Sequence, residues 1–232
     1  MAPSHLQVEH SPAGYRRLLL SRPERRNALD LALARALHGA LRQDEAVPVV
    51  LGSTDPAVFC AGADLNVPDA DWAMVSDLLY ECYEIMITRP GPVIAVVTGP
   101  AVGGGAQLAA AADLRIAGPA ARLRWTGPPG RGLAVGSWVL TVLVGRGAAM
   151  ELALTGRWVE AAEALAMGLV NRVEDAPGQV AAGIAEELAG HDPRVSAKVK
   201  SVSVAGGLLD RLRAERQANR SAWAQAVAPT TG

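Results

Sequence analysis

Residues 93–109 read VIAVVTGPAVGGGAQLA, a stretch that indicates a strand, a glycine-rich loop and a helix in succession. Its first part, Val93–Thr98, has the length and the β-branched content of a buried strand. Glycines follow at position 99 and at positions 103–105, and a helix is predicted over Ala106–Ala112. This succession is typical of an α/β fold, in which ligand sites form where strands end.

A second stretch, nearer the amino terminus, has the same organisation. Pro48–Ser53 is predicted to be a buried strand, residues 59–65 (FCAGADL) a loop, and Asp69–Thr88 a helix. Small residues let the backbone approach a ligand closely, and the first turn of a helix presents unpaired N–H groups. Two such N–H groups converging on one carbonyl oxygen would form an oxyanion hole, although composition alone does not establish that the two loops meet.

The remaining sequence continues the alternation of short apolar runs and longer helical patterns. Further strands are predicted at Leu6–His10, Tyr15–Ser21 and Leu114–Ala117, and Asp30 is predicted to cap a helix that runs to about Gln43. From Ser137 onward the pattern is mostly helical, apart from a short strand at Leu169–Val173. We therefore predict an α/β core over residues 1–175 and a helical region over residues 176–232.

Length and charge restrict the class of protein. The chain has 232 residues, a net charge of -1 and two cysteines without metal-ligand spacing. A near-neutral balance argues against nucleic acid or a membrane surface as the partner, and no apolar run resembles a membrane span. The start of the chain lacks the pattern of a signal peptide, and the sparse cysteines favour a reduced, cytoplasmic setting.

Four motifs, in order along the chain, carry a resemblance to a known family. They are residues 22–29 (RPERRNAL), residues 59–65, residues 99–109 with 112–115 (ADLR), and residues 154–156 (LTG) with 164–171 (ALAMGLVN). Over nearly its whole length the chain resembles the crotonase superfamily, the enoyl-CoA hydratase/isomerase family. The resemblance implies a fold of stacked ββα units with a carboxy-terminal helical region. It also implies a homotrimer or dimer of trimers, and an acyl-CoA ligand without a metal or a separate cofactor.

The same resemblance assigns roles to residues of these motifs. The amides of Ala63 and Gly104 would form the oxyanion hole, and the backbone of Ala61 would lie beside the adenine. Arg25 or Arg26 could contact the coenzyme phosphates, for which a forked cationic donor is well suited. The remaining residues expected to contact the substrate or coenzyme A are Ala28, Gly62, Asp64, Leu65 and Trp125.

Both glutamates that a hydratase of this family uses are replaced. Gln107 stands at the first position and Pro129 at the second. Hydration needs a base and an acid, whereas glutamine cannot return a proton and proline has no polar side chain. Losing one such group costs about 10²–10⁴ in rate, so ordinary hydration is expected to be very slow. Residues 132–138 (GLAVGSW) look like those of family members that lack the glutamates and are thought to bind or carry acyl-CoA.

Several readings of individual residues stay open from the sequence. Asp64 could be a substitute base, or it could cap a helix or hold its loop. Glu81 and Glu84 could be substitutes as well, or part of a solvated helix face. Gln107 could bind water or ligand, or simply line an empty pocket. A nucleotide-binding role for the glycine-rich loop is disfavoured because the loop matches neither phosphate-binding pattern.

The carboxy-terminal region bears on how a ligand would be covered. Family members usually continue into a further helix that helps close the coenzyme site. The helical region over residues 176–232 is therefore expected to be truncated relative to typical family members. Cover for an acyl chain is then expected from Trp125, Trp138 or the Asp69–Thr88 helix. Two functions remain open: an enzyme with an unidentified acid–base group, and a non-catalytic protein that binds or carries acyl-CoA in lipid metabolism.

Overall fold

The computed structural model describes residues 5–128 and 131–227 and confirms the mixed α/β fold. Its strands are β1 (Leu6–His10), β2 (Arg16–Leu20), β3 (Val49–Ser53), β4 (Val93–Val97), β5 (Pro100–Val102), β6 (Leu114–Ala117), β7 (Arg122–Arg124), β8 (Val159–Glu160) and β9 (Arg172–Val173). Its α-helices are α1 (Leu31–Leu41), α2 (Asp69–Thr88), α3 (Gly104–Ala111), α4 (Ser137–Leu143), α5 (Gly145–Thr155), α6 (Ala161–Met167), α7 (Pro177–Ala189), α8 (Pro193–Val204) and α9 (Leu208–Val227). A short 3-10 helix, Pro23–Arg25, precedes α1.

The larger sheet has the strand order β1-β2-β3-β4-β6-β9. Strands β1 and β2 pair antiparallel, and the other neighbours pair parallel. Strands β3 and β4 are buried almost throughout because helices cover both faces of the sheet. Helices α1, α2 and α3 contribute to the main core on one face, and α7 packs Ala181 and Ala185 against Ile94 and Ile116 on the other.

A second, smaller sheet contains β5, β7 and β8, none of which the sequence predicted. Each has only two or three residues, too few for an alternating pattern to be recognised. Strand β5 lies inside the glycine-rich loop and pairs parallel with β7, with Ala101 opposite Leu123. The loop is therefore held by sheet pairing and is not a free turn.

Two predicted boundaries were wrong. Helix α3 begins at Gly104 instead of Ala106, because Gly103 reverses the chain with a φ of 53° and allows the helix to start at once. The strand predicted at Leu169–Val173 is reduced to β9. Leu169 and Val170 both donate their N–H groups to the carbonyl oxygen of Ala164, so they cap α6 instead of extending a strand.

The carboxy-terminal helices pack back onto the α/β part of the chain. Helix α9 lies against α2 and α4, and α8 also contacts α2. None of the helices in residues 5–128 and 131–227 combines the length and the hydropathy needed to cross a membrane. The position of α9 matters for the site because two of its side chains, Asn219 and Trp223, line the cavity described below.

Candidate active site

The loop after β3 and the loop between β4 and α3 lie side by side. The N–H of Cys60 donates to the carbonyl oxygen of Pro100 (3.2 Å), and the N–H of Val102 donates to the carbonyl oxygen of Cys60 (2.9 Å). A Cβ atom on Gly62 would lie 2.6 Å from the carbonyl oxygen of Val102. The structure thus joins the two loops that the sequence could only propose as partners, and their contact requires glycine at position 62.

The amides of Ala63 and Gly104 are both left without an acceptor by this arrangement. Leu29 bonds to the residues on either side of Ala63, donating to the Gly62 carbonyl (2.7 Å) and accepting from the Asp64 amide (3.1 Å). The amide of Ala63 therefore points away from Leu29. Gly104 starts α3, so its amide has no intrahelical partner. Within the described part of the chain neither amide donates to another residue, and both residues line one cavity.

A cavity of about 310 Å³ opens at these two amides. Its walls come from α2, the start of α3, residues 124–135 and α9, and they are mainly apolar. The principal apolar side chains of the wall are Trp72, Val75, Leu79, Leu133, Val135 and Trp223. No Asp, Glu or His side chain lines it among residues 5–128 and 131–227. A cavity of this size and character suits a mostly apolar small ligand.

Gln107 lies in the first turn of α3 and lines the same cavity. Its side chain is 5% exposed, and its Oε1 atom accepts a hydrogen bond of 2.9 Å from the indole Nε1 of Trp138. Trp138 is buried and stacks on Tyr83, with 6.0 Å between ring centroids. Gln107 is therefore a fixed part of the wall, supported from behind by aromatic side chains.

Tyr83 holds the helix start that carries the Gly104 amide. Its hydroxyl donates to the carbonyl oxygen of Gly104 at 3.1 Å. Burial raises the pKa of the Tyr83 phenol well above its ordinary value, so the group stays protonated and acts as a donor.

Cys60, on the neighbouring loop, is not a reactive thiol. Burial raises its pKa to about 12, so it stays protonated.

A buried polar cluster behind the cavity has no recognisable pattern in the sequence. Glu215 of α9 accepts hydrogen bonds from the hydroxyl of Tyr80 (2.7 Å) and from the amides of Gly136 (2.9 Å) and Trp138 (3.0 Å). It thereby caps the amino terminus of α4 from another helix. Burial raises the pKa of Glu215, although these hydrogen bonds oppose the rise. Its carboxylate is fully engaged in holding α4 and is not presented to the cavity.

Helix α9 also supplies part of the cavity wall. Asn219 and Trp223 line the cavity, and the Trp223 ring stacks on Trp72 of α2 with 5.8 Å between centroids. Glu215, Asn219 and Trp223 are spaced four residues apart, so they share one face of the helix. The four-residue spacing could have indicated a buried helix face. Two of the three residues are polar, however, so the pattern does not resemble a buried apolar stripe.

Asp64 is bound within its own loop. Its carboxylate lies 2.6 Å from a guanidinium nitrogen of Arg22 and accepts a hydrogen bond of 2.9 Å from the amide of Asn66. Burial raises the pKa of Asp64, but the Asn66 amide and Arg22 together lower it below its usual value. Asp64 is 4% exposed and does not line the cavity. Of the two roles left open by the sequence, the structure favours the loop-holding one.

Three of the remaining residues expected to contact coenzyme A line the cavity. Ala61, Gly62 and Leu65 line it, and Leu65 is 66% exposed. The amide of Ala61 donates to the carbonyl oxygen of Arg26 (3.0 Å), which places the loop of residues 22–29 beside it. Arg25 and Arg26 are exposed on that loop, whereas Ala28 is buried in it. Both arginines are exposed to solvent, and neither lines the cavity.

Trp125 and Trp138 do not line the cavity, contrary to their expected role as ligand cover. Each is 1% exposed. Gly136 packs directly on Trp125, because a Cβ atom there would lie 2.3 Å from the indole ring. These two rings support the wall from behind, while Trp72 and Trp223 form part of its surface. Pro129, which the family resemblance places at the second glutamate position, lies outside the described residues.

Glu81 and Glu84 face helix α9 and not the cavity. Glu81 accepts from Arg216 (2.8 Å) and Glu84 from Arg213 (2.6 Å). These pairs belong to the contact between α2 and α9, so neither glutamate substitutes for a cavity base. No cluster of three or more His, Cys, Asp or Glu residues suited to a metal ion occurs in residues 5–128 and 131–227.

Comparisons of sequence and of structure relate the chain to the same family. The family model described as Enoyl-CoA hydratase/isomerase matches residues 12–229. "Probable enoyl-CoA hydratase echA6" of Mycobacterium leprae is 39% identical over 164 residues, which are 66% of this chain and 65% of that protein. The chain thus spans less than two thirds of that relative. "Putative enoyl-CoA hydratase" of Thermus thermophilus is 39% identical over 89% of this chain and 87% of its own length.

A solved structure extends this similarity to the fold. The crystal structure of an enoyl-CoA hydratase from Bacillus anthracis superposes with a TM-score of 0.79 at 30% sequence identity. The superposition covers 98% of this chain and 92% of that one. The fold class expected from the four motifs is confirmed, including the helical region that follows the α/β part.

Proposed function

Because the chain belongs to the enoyl-CoA hydratase/isomerase family, we propose that it binds an acyl-coenzyme A thioester at Ala63 and Gly104. The observation that carries this proposal is the pair of unpaired amides at the head of a mainly apolar cavity. Two fixed donors aimed at one oxygen bind a thioester carbonyl and stabilise negative charge that develops on it. The apolar wall between α2 and α9 would then hold the acyl chain.

The coenzyme part of the ligand would lie at the mouth of the cavity. We propose that the adenine lies beside the backbone of Ala61 and that Arg25 or Arg26 contacts the phosphates. Two observations support this: both guanidinium groups are exposed, and the Arg26 carbonyl bonds directly to the Ala61 amide. An arginine is a suitable partner because its charge and forked donors match a phosphate group.

Ordinary enoyl-CoA hydration should be very slow at this site. Gln107 replaces one glutamate and Pro129 the other, and the described cavity wall contains no carboxylate or imidazole. Hydration requires a group that takes a proton from water and a group that protonates carbon. The lack of a carboxylate and an imidazole in the described part of the wall favours a second candidate function, a non-catalytic protein that binds or carries acyl-CoA, over an enzyme of the usual kind.

A homotrimer, or a dimer of trimers, is part of the same proposal. Helix α8 exposes an apolar stripe of Val195, Val199 and Val202, which are 58%, 64% and 65% exposed. These residues follow the i, i+4, i+7 spacing of one helix face. Such a stripe on a single chain is typical of a surface that another copy covers.

The proposal is tested by calorimetric binding of butyryl-CoA, longer acyl-CoA thioesters, free coenzyme A and the thioether S-butyl-CoA. The thioether has no carbonyl, so it should bind about tenfold more weakly than butyryl-CoA if two amides contact that oxygen. The same preparations are assayed for hydration of crotonyl-CoA. Tight thioester binding without turnover is the expected result. Equal affinity for thioester and thioether would contradict the oxyanion hole, and rapid turnover would contradict the loss of hydratase activity.

A further inference from the structure

The carboxamide of Gln107 can adopt only one orientation. Its partner, the indole Nε1–H of Trp138, is a donor and never an acceptor. The 2.9 Å contact between them must therefore involve Oε1 of Gln107 as the acceptor. Trp138 cannot rotate away easily because it is 1% exposed and stacked on Tyr83. The Nε2 amino group is consequently held on the side of the carboxamide away from Trp138.

That amino group is the unpaired end of a residue that lines the cavity. The Nε2 atom of Gln107 has no acceptor among residues 5–128 and 131–227. The other side-chain amide of the wall, Asn219, is by contrast fully bonded, to Ala134 on both of its polar atoms and to the hydroxyl of Tyr80. A ligand that fills the cavity would cover this donor, so one that supplies an acceptor at this point is favoured over one that leaves the donor unpaired.

The position of this donor relative to the oxyanion hole indicates which ligand atom it meets. Gln107 follows Gly104 by three residues in α3, and residues with this spacing lie about 5–6 Å apart on one helix face. This inference rests on the proposed function, in which the Gly104 amide binds the thioester carbonyl. The first carbons of the acyl chain then lie beside Nε2 of Gln107. An oxygen on the third carbon is the nearest acceptor that an acyl group can offer there.

We propose that Gln107 is a specificity-determining residue that donates from Nε2 to an oxygen at C3 of the acyl group. The cavity then selects 3-oxoacyl thioesters, and 3-hydroxyacyl thioesters to a similar degree, over saturated acyl chains of equal length. Trp138 is the positioning residue, since its indole N–H keeps the donor end of the amide toward the ligand. A glutamate at position 107 would present an acceptor at the same place. The preference for an oxygen at C3 therefore follows from the presence of glutamine at this position.

The test is calorimetric binding of three four-carbon thioesters, butyryl-CoA, 3-hydroxybutyryl-CoA and acetoacetyl-CoA. One neutral hydrogen bond should make the two oxygenated ligands bind about 3–10-fold more tightly than butyryl-CoA to the wild-type protein. Gln107→Met should remove this preference, because a thioether sulfur cannot donate a hydrogen bond. Circular dichroism and thermal unfolding show that the variant is folded. Trp138→Phe, which frees the amide to rotate, should reduce the preference without abolishing it.

Gln107→Glu separates hydrogen-bond direction from side-chain size. Its carboxylate keeps one oxygen on Trp138 and turns an acceptor toward the ligand. At alkaline pH, where the carboxylate is ionised, the preference for acetoacetyl-CoA should disappear, while 3-hydroxybutyryl-CoA, whose hydroxyl can donate, should keep its advantage. Equal binding of all three thioesters to the wild-type protein, or an unchanged preference in Gln107→Met, would overturn this inference alone. Failure to bind any thioester would overturn the proposed function and this inference with it.

Discussion

Gly103, Gly104 and Gly105 exclude side chains for different physical reasons. Gly103 has a φ of 53°, which residues with a side chain rarely adopt. At Gly104 a Cβ atom would lie 2.9 Å from Cδ1 of Leu29, and at Gly105 it would lie 2.5 Å from the carbonyl oxygen of Cys60. The glycine run therefore does more than expose N–H groups, because it lets α3 start in direct contact with the other loop.

We expect Gly105→Ala to destabilise the protein by about 1–3 kcal/mol, because the added methyl group meets backbone that has no space to move. Urea denaturation followed by circular dichroism measures the change. Gly183→Ala is the matched control, since Gly183 is an exposed position of α7 with nothing within 4 Å of its Cβ site. That substitution should stabilise by about 0.4–1 kcal/mol. Equal stability of the wild type and Gly105→Ala would contradict the close contact.

Restoring both carboxylates should restore chemistry if only the acid–base groups have been lost. We expect the double variant Gln107→Glu, Pro129→Glu to hydrate crotonyl-CoA at least about 10²-fold faster than the wild type. Gln107→Glu alone serves as the control and should remain much slower, because one of the two proton-transfer groups is still missing. A double variant that binds crotonyl-CoA but stays inert would show that further features of a hydratase are absent.

Helix α9 is attached to α2 by a compact set of charged pairs around one carboxylate. Asp77 accepts paired hydrogen bonds from Arg216 (2.6 and 2.7 Å) and from Arg220 (2.7 Å for both). The hydrogen bonds from Arg216 are the main reason that the pKa of Asp77 lies far below its ordinary value of 3.8. This attachment positions Asn219 and Trp223 at the cavity, so the stability of the α2–α9 contact bears directly on ligand binding.

Asp77→Asn should destabilise the protein by about 1 kcal/mol at neutral pH, a modest value because the pair is partly exposed to solvent. A carboxyl whose pKa is lowered by folding contributes stability above its unfolded pKa, and this contribution is lost as pH falls below about 3.8. The stability difference between wild type and variant should therefore shrink in acid. Thermal unfolding at several pH values, read by tryptophan fluorescence, measures it.

The control for that experiment is Asp192→Asn, which alters an exposed pair with Arg194 that holds no two elements together. Asparagine also caps a helix well, so the free energy of unfolding should be nearly unchanged. In addition, Asp77→Asn should weaken butyryl-CoA binding, whereas Asp192→Asn should not. A difference that persists unchanged at low pH would contradict the role assigned to the Asp77 carboxylate.

At the scale of the whole molecule, helix α8 leaves an apolar surface exposed, although strands β3 and β4 are buried on both faces. The stripe of Val195, Val199 and Val202 on α8 contrasts with the charged surface of α9. If other copies cover this stripe, light scattering after size exclusion should give three or six times the chain mass of 24.1 kDa. Val199→Glu should shift the protein toward a smaller species, since a charge would enter the interface. A monomeric wild type would contradict the proposed assembly.

The limits of strands β1 and β3, of α2 and of β6 could be predicted almost to the residue, because they depend on local apolar patterns. The two loops could likewise be located along the chain, whereas the replacement of both glutamates stays a prediction. The orientation of the Gln107 amide, the engagement of Glu215 and the cover by Trp223 could not be predicted. Each depends on contacts between distant residues, such as Tyr80 with Glu215, which are 135 positions apart. Local periodicity shows which side chains are buried. The pairing of hydrogen-bond donors with acceptors is determined only when helices from different parts of the chain pack together.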